Sequence, residues 1–182
     1  GNDQTRWLGQ SMPRVEDPKF LLGRGRYIDD LSLPGMLHAA VLRSPHAHAR
    51  IMSLDTSRAR DMAGVHEVID GKHATHVLGP LPDLGPYPDK HVWRAIAVDK
   101  VRYVGEVVAV VVAVSRAIAE DACAVIDVEY DELPAIATID DALRDEGPLV
   151  HDALSSNRVF ERQLVWGEVE RVFVDADHVV SD

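Results

Sequence analysis

The longest unbroken hydrophobic stretch of the chain, Val107 to Val114, contains six valines among its eight residues. Valine branches at Cβ and therefore favours a strand over a helix, and a run this short cannot span a bilayer, which needs about 20 residues. Ser115 follows at a position typical of a helix N-cap. Apolar residues then recur at helical spacing from Ile118 to Ile126, and alternation from Val128 to Tyr130 indicates a half-exposed strand. The stretch from Val101 to Tyr130 therefore predicts a strand, a turn, the buried strand, its covering helix and a further strand.

Alternating apolar and polar residues earlier in the chain predict three further strands, at 36–43, 50–55 and 65–70. Short helices are predicted at 17–22, 57–62 and 140–143, where capping residues, proline or glycine mark their ends. Asp17, Thr56 and Thr138 are the predicted caps of these helices. The chain therefore combines separate strands with short helices.

The composition is that of an ordinary globular protein, with 46% hydrophobic and 27% charged residues. A net charge of −11 argues against a nucleic-acid or anionic-membrane partner, because phosphate binding needs clustered Lys and Arg. Residues 1–15 contain no apolar core of a signal peptide, and one cysteine suits a reducing compartment. We therefore expect a cytoplasmic protein without a membrane span, in which Cys123 is a small core residue.

Several residues suggest catalysis or metal binding, but the sequence places none of them in a recognisable constellation. His46 and His48 share a loop, and His73 and His76 have the spacing of a helical turn, yet neither pair has an obvious third metal ligand. Glu106 follows a glycine before the valine-rich strand, and a turn-capping role is favoured because no other titratable group is placed to work with it. We expect no catalytic, cofactor-binding or metal-binding residue in this chain.

Residues 79–93 form the segment with the strongest turn signals. The nine residues from Pro80 to Pro88 include four prolines, so neither a helix nor a regular strand fits there. A variable surface loop is the simplest interpretation. The alternative is a contact element for a partner domain, with Tyr87 and Trp93 as aromatic anchors. This loop is the best candidate for a functional surface in the chain.

Four segments resemble, in order, motifs of the α/β-hammerhead domain: GRGRYIDDL, MLHAAVLRSPHAHARI, DTSRARDMAGVHEVI and YVGEVVAVVVAVSRAIAEDACAVIDVEYDELPAI. That domain opens the large subunit of the molybdenum hydroxylases, which include xanthine dehydrogenase, aldehyde oxidase and carbon monoxide dehydrogenase. Val107 departs from the family, which often has proline after Gly-Glu, and this change affects the start of a strand but no chemistry. Residues 147–166 resemble the segment that leaves the domain, and 167–173 resemble the short helix after it.

The resemblance implies that the parent subunit binds a molybdopterin-type molybdenum cofactor, with iron–sulfur clusters and FAD on other domains or subunits. Such a parent hydroxylates a carbon of an aldehyde or N-heterocycle, or oxidises carbon monoxide. The family's catalytic glutamate belongs to a motif beyond this chain and does not correspond to Glu106. One cysteine cannot ligate an iron–sulfur cluster that needs four. The chain would then be an inactive fragment with structural and subunit-docking roles.

The pattern and the resemblance together predict an α+β fold of the hammerhead kind, a mixed sheet with helices packed on one side plus an extended C-terminal tail. Its predicted parts are a flexible arm, the hammerhead domain and a connector toward a molybdenum-cofactor domain, at 1–16, 17–145 and 146–182. A strand is expected to begin at Val179, and its unpaired edge would allow the chain to self-associate.

Two other classes of function stay open. The chain could be a stand-alone small-molecule or protein-binding module, in which 146–182 would pack back to complete the fold. A carrier domain of the biotinyl or lipoyl type is the third class. Neither Lys72 nor Lys100 has the hairpin-tip position and the flanking methionine that a carrier lysine usually has.

Overall fold

The computed structural model describes residue 9 and the ranges 11–82, 92–144 and 146–180. The chain divides into two compact units, Gly1–Met36 and Leu37–Asp182. In the first unit, helix α1 (Asp17–Leu21) precedes a short 3₁₀ turn (Ile28–Asp30). Most of the predicted arm and the predicted anchor Tyr87 lie outside the described residues.

The second unit contains every strand that the described residues form. Its strands are β1 (His38–Arg43), β2 (Ala49–Asp55), β3 (Val65–Asp70), β4 (Lys100–Val101), β5 (Val107–Ala113) and β6 (Asp127–Glu132). Its helices are α2 (Ser57–Arg60), α3 (Gly71–Leu78), α4 (Arg116–Ala124), α5 (Ile139–Ala142) and α6 (Val169–Asp175). All the strands predicted before residue 131 are present, within two residues at their ends.

The strands form two antiparallel sheets of three strands each, in the orders β1-β5-β3 and β4-β2-β6. The predicted α+β class is confirmed, but the prediction of one mixed sheet is wrong. The strands β1 and β3 lie on either side of β5 and both run opposite to it, with Val41 and Ile69 both opposite Val110. Because β5 separates these two strands, they do not pair with each other, and every strand pair among the described residues is antiparallel.

The valine-rich strand β5 is covered on both faces, as its continuous apolar sequence predicts. Its helix-facing side joins a core cluster of small residues from β5 and α4, among them Ala109, Val111, Ala113, Ala119 and Ala122. On the other side, Val108 belongs to a second cluster with Ala49 of β2 and Val101 of β4. The two clusters place β5 between α4 and the second sheet.

Side-chain caps fix several helix ends. The hydroxyl of Ser115 accepts a hydrogen bond from the Ile118 N–H at 3.3 Å, and Thr138 accepts one from the Asp141 N–H at 3.1 Å, which confirms both predicted caps. Asp17 is instead the first residue of α1, whose cap position is Glu16. Thr56 precedes α2 but caps no N–H group, because its hydroxyl accepts from the Arg60 side chain at 3.1 Å.

Helix α3 was missed by the sequence analysis, although it has a cap signal. The carboxylate of Asp70 accepts a hydrogen bond from the His73 N–H at 2.8 Å. Gly79 follows the helix with φ of +66°, which is a common glycine position after a helix. His73 and His76 thus both lie on this helix, as their spacing suggests.

The end of the described chain differs from expectation. Helix α6 is present at Val169–Asp175, two residues later than predicted, but Val179 and Val180 form no strand. A strand needs a neighbour for its backbone N–H and C=O groups, and no described strand pairs with them. No helix within the described ranges is long and apolar enough to cross a membrane.

Candidate functional site

A cavity of about 430 Å³ lies beside β4, where three stretches of chain meet. Residues 92–94 form one wall, residues 97–106 contribute to the floor, and residues 150–153 form the other wall. The chain turns sharply between the very short β4 and the start of β5, and residues of this turn line the cavity. Gly105 makes this turn possible with a φ of +89°, which residues with a Cβ rarely adopt.

Glu106 closes this turn. Its carboxylate accepts a hydrogen bond from the backbone N–H of Arg102, and its own N–H donates to the Tyr103 carbonyl at 3.2 Å. The predicted turn-capping role is therefore confirmed. Burial raises the pKa of Glu106, and the hydrogen bond from the Arg102 amide opposes that rise.

Among the described residues, two cations contact this turn: Arg43, whose Nη1 donates to the Gly105 carbonyl at 2.8 Å, and Arg102, which begins the turn. The Nη1 of Arg102 donates to the carbonyl of Lys100 at 2.8 Å, and its Nη2 lies 3.8 Å from an oxygen of Asp99. Its Nε is buried and has no hydrogen-bond partner among the described residues. Arg102 thus lines the cavity while its Nε is buried among protein atoms.

Lys100 and Asp152 form an ion pair at the far wall. The side chain of Lys100 is 0% exposed, and its Nζ lies 2.8 Å from Oδ1 of Asp152, whose side chain is 59% exposed. The hydrogen bond from Lys100 lowers the pKa of Asp152, and the charges of Arg50 and Arg102 lower it further. Sequence reasoning missed this pair, because the two residues lie 52 positions apart and no local pattern links them.

The histidines of the first loop bind protein groups. The Nδ1 of His46 lies 3.3 Å from an oxygen of Glu132, and its ring centroid lies 4.8 Å from that of Tyr130. His48 is buried, and its Nδ1 lies 2.8 Å from the Pro134 carbonyl oxygen, so this nitrogen is the donor. Both side chains thereby hold the loop after β1 against the end of β6.

The proline-rich segment reaches the cavity at its described end. Trp93 lines the cavity and is 44% exposed, and its carbonyl accepts a hydrogen bond from the Leu81 N–H at 2.9 Å. Arg94 next to it donates to the hydroxyl of Thr75 at 3.0 Å. The two ends of the loop are thus held together, and its role as a partner contact stays a prediction.

Cys123 packs against the core cluster on the helix-facing side of β5, which confirms its predicted position. Burial raises the pKa of its thiol, so little reactive thiolate is present at neutral pH.

A metal centre in a protein needs several ligand side chains close together. In the ranges that the structure describes, no three His, Cys, Asp or Glu side chains lie close enough together to hold a metal ion. The chain has a single cysteine, Cys123, which does not fit an iron–sulfur cluster that needs four such ligands. The titratable residues Asp99, Glu106, His151 and Asp152 line the cavity together with Arg102, and these side chains can form hydrogen bonds with polar groups. The absence of a catalytic residue stays a prediction.

The fold and these motifs define a family. Residues 22–134 match the family described as aldehyde oxidase and xanthine dehydrogenase, a/b hammerhead domain. This match covers more than half of the chain, so the chain belongs to that hammerhead-domain family, as its motifs predict.

Individual relatives agree with this assignment. The gamma subunit of the 6-hydroxypseudooxynicotine dehydrogenase complex of Paenarthrobacter nicotinovorans is 36% identical over 99% of this chain and 23% of its own length. The carbon monoxide dehydrogenase large chain of Afipia carboxidovorans is 36% identical over 82% of this chain and 18% of its own. Quinoline 2-oxidoreductase from Pseudomonas putida 86 superposes with a TM-score of 0.77 and 43% identity, over 94% of this chain and 22% of its own. The chain thus spans between 18% and 23% of these proteins.

Proposed function

We propose that this chain is the hammerhead domain of the large subunit of a molybdenum hydroxylase, and that its own role is structural. One observation carries this proposal. Residues 22–134 match the hammerhead domain, and the whole chain aligns with only about a fifth of the length of its relatives. The proposed domain extends over 17–145 and is followed by a connector, 146–182, that leads to the cofactor-binding domains.

The proposed parent is a cytoplasmic oxidoreductase that acts on a carbon of an aldehyde or N-heterocycle, or on carbon monoxide. It would hold a molybdopterin-type molybdenum cofactor outside this chain, and iron–sulfur and flavin domains or subunits would be its redox partners. Relatives named for quinoline, 6-hydroxypseudooxynicotine and carbon monoxide support this range of substrates. The described residues of this chain would supply none of the reacting groups.

The exposure of the connector supports a docking role. Residues 161–180 are exposed throughout, and they include large apolar side chains such as Trp166 at 79% and Val174 at 83% exposed. Contiguous exposed apolar residues commonly mark an interaction surface. In the proposed subunit, the remaining domains would cover this surface.

An immunoblot of the source lysate, followed by metal analysis of the captured protein, tests the proposal. The proposal predicts a band several times larger than 20.1 kDa that carries molybdenum and iron. A band at 20.1 kDa without these metals would refute it.

A double variant, compared with a control variant, tests the docking surface. Trp166→Ser combined with Val174→Ser should leave the unfolding free energy of the isolated chain within about 0.5 kcal/mol, because both residues are exposed. The same change in the full-length subunit should reduce the recovery of assembled, molybdenum-loaded enzyme. Val77→Ser changes a residue of α3 that is 69% exposed and serves as the control, with no expected loss of assembly. Equal recovery of all variants would contradict the docking role.

A second candidate function is a stand-alone binding module, which the cavity of about 430 Å³ favours. A volume of this size is typical of small-molecule sites. Residues 150–153 do pack back onto the domain, whereas residues 161–180 remain exposed. This alternative predicts that the protein is found at its own mass of 20.1 kDa in the source lysate. It also predicts that a small-molecule library contains ligands for the isolated chain, and that Arg102→Ala weakens their binding.

Self-association of the isolated chain stays a prediction. The strand at Val179 whose unpaired edge suggested it is not formed. The exposed apolar residues of 161–180 give the prediction a different basis. Size-exclusion chromatography with light scattering measures self-association directly, and a monomer at all concentrations would exclude it.

A further inference from the structure

The first part of the connector is a closed turn rather than an extended link. The side-chain amide of Asn157 donates to the Pro148 carbonyl at 3.0 Å, and its oxygen accepts from the Val150 N–H at 2.9 Å. Inside this loop, the Leu154 N–H donates to the His151 carbonyl at 3.0 Å. These contacts close residues 148–157 into a turn that includes Asp152.

The domain presents a buried cation to this turn. The side chain of Lys100 is fully buried, and its ammonium group lies 2.8 Å from Asp152. Lys100 lies on β4, where it is paired with Arg50 of β2, so its position is fixed by the second sheet. A buried ammonium group without an anionic partner is strongly disfavoured, and Asp152 is the carboxylate that meets this need.

We infer that the Lys100–Asp152 pair is an anchor that fixes residues 148–157 to the second sheet and so sets the direction in which the chain leaves the domain. The same anchor holds Val150 and Ala153 in place as a wall of the cavity. The anchor lies wholly within this chain and is independent of the proposed membership of a larger enzyme.

The burial of the two partners is unequal, and this makes the anchor testable. Loss of the Asp152 carboxylate would leave the buried Lys100 charge without its partner. Loss of the Lys100 charge would leave a carboxylate that water can reach, because the side chain of Asp152 is 59% exposed. Asp152→Ala should therefore be more harmful to stability than Lys100→Met, although both remove the anchor.

Amide hydrogen exchange of the whole chain is the test. Asp152→Ala should speed the exchange of the Val150 and Leu154 amides about tenfold or more, because the closed turn opens locally. The amide of Val111 in β5 reports global unfolding, so any change in its rate measures the loss of global stability and is compared separately from the turn amides. Glu161→Ala is the matched control, since it removes the exposed pair with Arg158 at 2.8 Å and should leave every rate unchanged.

If Asp152→Ala fails to fold, Lys100→Met tests whether the ion pair anchors the turn. It removes the buried charge and keeps an apolar side chain of similar length, so β5 should remain protected while the turn exchanges faster. Turn exchange within about twofold of the wild type in the folded variants would overturn the anchor. The loss of assembly or metal in the parent enzyme would bear on the proposed function and not on this result.

Discussion

Gly71, the first residue of α3, is the position where the smallest side-chain change should be most harmful. A Cβ placed on Gly71 would lie 2.0 Å from the carbonyl oxygen of Ala97, 2.7 Å from its carbonyl carbon and 3.0 Å from the Cα of Val98. All three neighbours are backbone atoms, so no side-chain rotation can relieve the overlap. The backbone at Ala97 is itself tied to the start of β5, because its N–H donates to the Val107 carbonyl at 2.8 Å.

The size of the effect follows from two opposing terms. Replacing glycine by alanine stabilises a protein by about 0.4–1 kcal/mol where the native backbone accepts the change, because the unfolded chain loses freedom. Overpacking costs about 1–3 kcal/mol and more where rigid atoms overlap. For Gly71→Ala we expect a net loss of about 3 kcal/mol in the free energy of unfolding, which lowers the Tm of a domain this size by about 6–12 °C.

Urea denaturation followed by far-UV circular dichroism measures this loss as a lower midpoint with an unchanged m-value. Gly147→Ala is the control, because a Cβ at Gly147 meets no atom within 4 Å and its φ is not in the left-handed region. The control should stay within about 0.5 kcal/mol of the wild type. A Gly71→Ala midpoint equal to that of the control would show that α3 and the Ala97 backbone do not approach as closely as described.

Three further changes probe the site and its frame. Because burial raises the folded pKa of Glu106 above its ordinary 4.5, ionisation lowers stability as the pH rises through the folded pKa. Glu106→Gln should therefore have a higher Tm than the wild type at pH 7 but not at pH 4. The same difference in Tm between variant and wild type at both pH values would contradict this. Ser115→Ala should lower the free energy of unfolding in urea by about 1 kcal/mol, since α4 loses its cap. Ser115→Asp should keep most of the stability of the wild type, because an aspartate can also cap the helix. The thiol of Cys123, whose pKa burial raises, should react with a disulfide reagent much more slowly in the native protein than in guanidinium; equal rates would contradict its burial.

Local sequence patterns determined most of the elements, α3 excepted, and the family. The valines of β5, the alternation of β1, β2 and β3, and the caps at Ser115 and Thr138 each depend on neighbouring residues alone. Such local preferences are readable without a structure because they act over one turn or one pleat. The four hammerhead motifs likewise stand in the sequence in family order, so the family assignment needed no coordinates.

Only the tertiary structure decided how these elements meet. The division into two antiparallel sheets depends on β5 lying between β1 and β3, and pairing between distant strands leaves no local trace. The pairing of Lys100 with Asp152 joins residues 52 positions apart, and the close approach of Gly71 to Ala97 depends on backbone packing. These are long-range contacts, and their free energy depends on burial and distance rather than on local residue type.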